Sequence, residues 1–178
     1  ATQIPKNRPT SPGARLLMWD AKTLPARILL HRGLPGNASE ALASLPKPNE
    51  TQGFRKHSLS YLWIDGLRLA LDAERLINEK SFTSARDVTT ALSQIGEGMS
   101  KTQAAATANG ERSSWNRAFR ALEILASDLR GQLALAGPKE RTGTADNWFA
   151  SAADRQRPAP MMYPPMILTP MAIRLGEY

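Results

Sequence analysis

The chain has 178 residues, with 23 Lys and Arg against 16 Asp and Glu, a formal charge of +7, and no cysteine. That length suits one domain, alone or with long arms. Zero cysteine excludes a disulfide framework, thiolate metal ligands and a cysteine nucleophile, and two histidines, His31 and His57, leave little for a histidine-built metal site.

All 13 prolines lie outside residues 49–137, seven before that window and six after it. Proline removes a backbone donor and clashes with the preceding helical turn, so the Pro-free window is where helices are expected to run. Charge divides the same way. Residues 1–57 hold nine bases and three acids, residues 58–136 nine of each, and residues 137–178 five bases and four acids. Nearly all the excess positive charge is therefore N-terminal. The expected organisation is a basic, Pro-rich arm over 1–57, an α-helical core over 58–153 and an extended Pro/Met-rich docking arm over 154–178. The fold class expected is mainly α, a small bundle of three to four helices with long extended arms.

In chain order, residues 1–15 are basic and Pro-rich without an apolar stretch, so no secretory signal is expected. The short apolar runs 15–19 and 26–30, separated by 20–25, suggest a minor β-hairpin. Ser58 caps a first core helix predicted to reach about Lys80, with Leu59, Leu62, Trp63, Leu67, Ala70, Leu71 and Ile77 on one face. Gly66 interrupts it and reads as a close helix–helix approach. Ser84 and Asp87 start a short second helix through Ala85, Val88, Ala91, Leu92 and Ile95, expected to end at Gly96 and Gly98. In the third, Trp115, Phe119, Leu122, Ala126, Leu129, Leu133 and Ala136 recur at alternating spacings of four and three, and Gly137-Pro138 terminates it. That pattern suits a core helix of a bundle better than an intermolecular coiled coil. A fourth helix is predicted over 145–153, after a loop at 137–144. The last segment holds four of the six methionines together with five prolines. It is apolar where a disordered tail would be polar, and Met suits irregular grooves. Met161, Met162, Tyr163, Met166, Ile167, Leu168, Met171 and Ile173 are the expected subunit-interface residues.

Catalytic constellations are hard to find. Gly96-Glu-Gly-Met-Ser-Lys101-Thr102 is not a phosphate loop, because Ser100 and Ile95 occupy the positions that need glycine. There is no nucleophile elbow. His31 and His57 read as solvated or backbone-bonded. Asp65, Asp72, Glu74 and Glu79, interleaved with Arg68, Arg75 and Lys80, read as a solvated face with i, i+3 pairs Asp72–Arg75 and Asp65–Arg68. The sequons at Asn37 and Asn49 are taken as chance. No catalytic residue, cofactor or metal is expected, and no membrane partner.

Sixteen of the 23 basic residues are Arg, whose planar fork suits phosphate and packed carboxylate alike. Arg15, Lys22, Arg27, Arg32, Arg55 and Lys56, with Arg112, Arg117 and Arg120 as a second patch, are the candidates for nucleic-acid phosphate contact. No aromatic base-stacking platform is recognisable, so such contact would not be sequence-specific. These features together point to a non-enzymatic structural subunit of a large assembly. A viral or phage coat or head-associated protein fits best, self-associating through its arms, in the virion or inside the cell. The alternative is an RNA-contacting subunit of a ribosomal or organellar complex. A small enzyme with an unrecognised site is the least favoured reading.

Overall fold

The computed structural model describes residues 12–45, 58–105, 109–137 and 141–156. Among these residues the chain is helical throughout, with six helices and no strand: α1 (Pro12–His31), α2 (Pro35–Ala43), α3 (Leu59–Asn78), α4 (Phe82–Ala105), α5 (Asn109–Ala136) and α6 (Thr142–Gln156). The helix α3 packs on α4 and α5, α6 packs on α5, and the α1–α2 pair packs on α3.

The first core helix begins and ends where its local chemistry dictates. The Ser58 hydroxyl accepts the Tyr61 N–H at 3.3 Å, satisfying one of the donors that a helix start leaves unpaired. At the other end, Lys80 N–H donates to the Ile77 carbonyl and Ser81 N–H to the Leu76 carbonyl, at 3.0 and 2.8 Å. This is the Schellman closure, and it places Lys80 at φ +59°, a conformation usually left to glycine. The same closure ends α1, with glycine in the left-handed position: Gly33 has φ +68°, and Gly33 and Leu34 donate to Leu30 and Leu29.

Small residues set the spacing of the core. Ala70, Ala73 and Ile77 of α3 meet Ala85, Leu92 and Met99 of α4 and Leu122, Ala126 and Leu129 of α5. A Cβ on Gly66 would come within 2.6 Å of Leu122 Cδ1, so this glycine lets α3 and α5 approach closely. On the far side of α5, a Cβ on Gly131 would meet Phe149 Cδ1 at 2.7 Å, so the ring of α6 lies directly over backbone.

Two expectations about α4 are corrected. It starts at Phe82 and does not stop at Gly96 or Gly98, but continues to Ala105. Met99, one turn further, is fully buried, and its burial favours continuing the helix. Gly96 serves a close contact instead, since a Cβ there would lie 3.0 Å from Glu123 Oε1 of α5. The predicted fourth helix is longer than expected and begins inside the predicted loop, at Thr142.

The N-terminal part departs furthest from expectation. No β-hairpin forms over 15–30, and residues 12–45 are not an extended arm, because one helix of 20 residues crosses both apolar runs and the segment between them. Its buried residues Trp19, Thr23, Ala26 and Leu30 recur at helical spacing, and Thr23 hides the pattern from a purely apolar reading. Proline is accommodated in two ways. Pro35 opens α2, where its missing N–H costs nothing, and Pro12 opens α1. Pro25 lies inside α1, but both it and Ala21, whose carbonyl loses its helical donor, are exposed, so water can serve that carbonyl. The helix count is therefore six among the described residues, against the three or four expected. The C-terminal residues Met161, Met162, Tyr163, Met166, Ile167, Leu168, Met171 and Ile173 lie outside the described residues, as do Arg55 and Lys56.

Candidate functional site

The helix α1 carries apolar side chains on two faces. Its inner face buries Trp19 against Leu45, Ile64 and Leu67, while Leu30 packs with Ala38 of α2 and Leu71 of α3. Its outer face presents Met18, Leu24 and Ile28 at 48, 50 and 48% exposure, and Leu34 follows in the turn at 40%. These are the large apolar side chains most open to solvent among the described residues, and they fall within one stretch of 17 positions, 18–34. Scattered singly they would need no explanation; gathered on one helix they form a patch.

Basic residues accompany this patch. Lys22, His31 and Arg32 are exposed and Arg27 is half-buried. Arg15 lies on the first turns of the same helix. On α5, Arg112, Arg117 and Arg120 share one helix, and Arg120 is exposed. The structure thus brings Arg15, Lys22, Arg27 and Arg32 onto one helix and its C-terminal turn, with Arg112, Arg117 and Arg120 on a second.

Two open grooves run along the bundle. The first, of about 710 Å³, lies between α5 and α6 and is lined by Phe119, Arg120, Glu123, Asn147, Ala150, Ser151, Asp154 and Arg155. It is polar and internally compensated: Arg155 lies 3.9 Å from Glu123 and also bonds Ser151. Asp154 adds a further acid, so Arg120 does not stand in a purely cationic setting.

The second groove, of about 540 Å³, lies between α3 and α4 and is lined by Leu62, Asp65, Leu69, Ala91, Gln94, Ile95 and Gly98. Among its apolar walls stands one carboxylate. Burial pushes the Asp65 carboxyl above its ordinary value, against the lowering pull of Arg68. The expected Asp65–Arg68 pair is not made as an ion pair; Arg68 Nη1 donates instead to the Leu45 carbonyl at 3.1 Å. The Asp72–Arg75 pair is present at 2.7 Å, and Glu79 joins it at 2.5 Å from the same guanidinium.

Other buried polar groups tie helices together. Arg130 donates to Ser93 of α4 at 2.7 Å and stacks over Trp148 of α6, 4.9 Å from the ring centroid. The buried Asp128 accepts from Gln132 at 2.9 Å, and Thr89 donates to the Ala85 carbonyl at 2.7 Å. The Ser127 hydroxyl is buried without a hydrogen-bond partner among the described residues. Among those residues no helix is long and apolar enough to cross a membrane.

The outer face of α1 was not singled out from sequence. Its signal was present, since Met18, Leu24 and Ile28 fall on the side of a helix opposite Trp19, Ala26 and Leu30, so apolar residues occupy two faces and no single buried stripe stands out. Asp65 was read as part of a solvated face and is instead half-buried in a groove. No family model, curated protein or solved structure matches this chain.

Proposed function

We propose that this chain is a non-catalytic structural subunit of a large assembly, and that α1 is one of its association surfaces. The observation that carries the reading is the outer face of α1, where Met18, Leu24 and Ile28 stay about half exposed beside basic residues, with Leu34 exposed in the turn that follows. Large apolar side chains gathered on one exposed helix face are the usual mark of an interaction site. A viral or phage coat or head-associated protein is the kind of subunit that fits, by analogy of class. Basic residues outside the docked face, the exposed Arg120 of α5 among them, then contact packaged nucleic acid through its phosphates, without reading sequence.

Light scattering on a sizing column, with absorbance at 260 and 280 nm, tests this reading. A particle much heavier than the 19.5 kDa chain supports it, and high 260 nm absorbance adds nucleic acid. A monomer at every concentration overturns self-assembly. The exposed cations Lys22, Arg32 and Arg120 favour a second reading in that event, an RNA-contacting subunit of a ribosomal or organellar complex. That reading predicts salt-dependent RNA binding by a monomer.

A further inference from the structure

The outer face of α1 and the α3–α4 groove lie on opposite sides of the molecule. The helix α1 packs on Ile64, Leu67 and Leu71 of α3, whereas the groove is lined by Leu62, Asp65 and Leu69 of the same helix. Leu67 and Asp65 are about 160° apart around a helix turning 100° per residue. The outer face of α1 points away from α3, so one copy cannot fill its own groove with it.

The two surfaces are complementary in length and in charge. Met18 to Ile28 spans about 15 Å of helix, and Leu62 to Leu69 about 10 Å. Both are mainly apolar, and the groove sets Asp65 and Gln94 midway along its apolar walls. The helix α1 and its turn carry Arg15, Lys22, Arg27 and Arg32 against one acid, Asp20. The groove holds Asp65, which accepts no hydrogen bond among the described residues because the neighbouring Arg68 is bonded to the Leu45 carbonyl, and Asp87 lies exposed one turn before Ala91 on α4. Lys101 stands one turn beyond Gly98, outside the lining. Two α1 faces set against each other would juxtapose like charges, which disfavours a symmetric α1–α1 pair. The α5–α6 groove is polar and already pairs Glu123 with Arg155, so it suits this helix less well.

We infer that the outer face of α1 in one copy docks into the α3–α4 groove of a second copy, with basic residues of α1 meeting Asp65. The inference rests on the self-association reading above and specifies its geometry. Because the two faces differ, the contact is head-to-tail, and its repetition generates a ring or an open filament.

Mixing variants of the full chain tests this. Ile28→Asp removes the α1 face, and Asp65→Arg, or Gln94→Arg at the exposed rim, blocks the groove. Circular dichroism confirms that each variant folds. Each variant alone is expected to lose association at least about tenfold, a change of about 1.4 kcal/mol. An equimolar mixture of Ile28→Asp with Asp65→Arg is expected to form a pair and stop there, since one intact face and one intact groove remain; native mass spectrometry reads this directly. If the groove variants assemble as well as the parent chain while Ile28→Asp does not, α1 pairs elsewhere and the inference is wrong, although the self-association reading stands. A parent chain that never associates removes both.

Discussion

The α3–α5 core and the α1–α2 flank solve different problems with the same kind of secondary structure. In the core the apolar faces are covered by other helices of the same chain, α5 on two sides, by α3 and α4 and by α6, and small residues such as Ala70, Ala73, Ala126 and Gly66 bring the helices close. Charge there is balanced over residues 58–136. In the flank, α1 is apolar on its inner and outer faces, and residues 1–57 carry a net excess of six positive charges. The comparison teaches that burial within the chain accounts for the core sequence but only half of α1. The other half is what the proposed association surface would use.

Substitutions in the two regions are expected to act on different properties. The largest effect is expected in the core, where Leu122 is fully buried against α3. Leu122→Ala should cost about 3 kcal/mol of folding stability in chemical denaturation, through lost burial and the cavity left behind. Ile28→Asp should move the same denaturation midpoint by less than about 0.5 kcal/mol while abolishing association, because the side chain already meets solvent. A large loss of stability from Ile28→Asp would mean that α1's outer face serves the fold.

Gly131→Ala comes next. The added methyl meets the edge of the Phe149 ring, and the resulting overpacking should cost about 1–3 kcal/mol and release α6 before the remaining helices. Hydrogen exchange would show this as loss of protection confined to α6. Smaller still are the two left-handed helix ends. Gly33→Ala should destabilise by about 1 kcal/mol, and Lys80→Gly should stabilise by up to about 1 kcal/mol, both read as shifts in melting temperature.

The smallest expected effect concerns Asp65. Its carboxyl is raised by burial, so the folded chain holds this proton more tightly than the unfolded chain does. The charged form therefore costs stability above the raised value, and the cost disappears below the ordinary carboxylate range. Asp65→Asn should give a slight rise in melting temperature at pH 7, shrinking as pH falls through that window. An advantage that grew on acidification would reverse the sign and contradict the account.

Much of the core was legible in sequence because its long helices carry apolar residues at regular three- and four-residue spacing, as in Leu122, Ala126, Leu129 and Leu133 of α5. Ser58, Gly66 and the Gly137 stop all behave as their local chemistry predicts. The glycines of α4 misled because Gly96 answers to Glu123 and Phe119 on another helix, information that local sequence does not contain. The helix α1 was missed for two reasons. Pro25 suggests a break, yet its cost falls on an exposed carbonyl, and apolar residues on both faces erase the helical period. The candidate site was legible in its basic residues Lys22, Arg27 and Arg32, but not in the apolar patch beside them. A second face becomes visible only once the first has been used to pack the helix.

The central claim is that the outer face of α1 holds copies together. Sedimentation velocity on the parent chain and on Ile28→Asp, over the same range of concentrations, tests it most directly. The account predicts that the parent chain sediments as species that grow with concentration, while Ile28→Asp stays at the 19.5 kDa monomer. Identical sedimentation of the two proteins would contradict it.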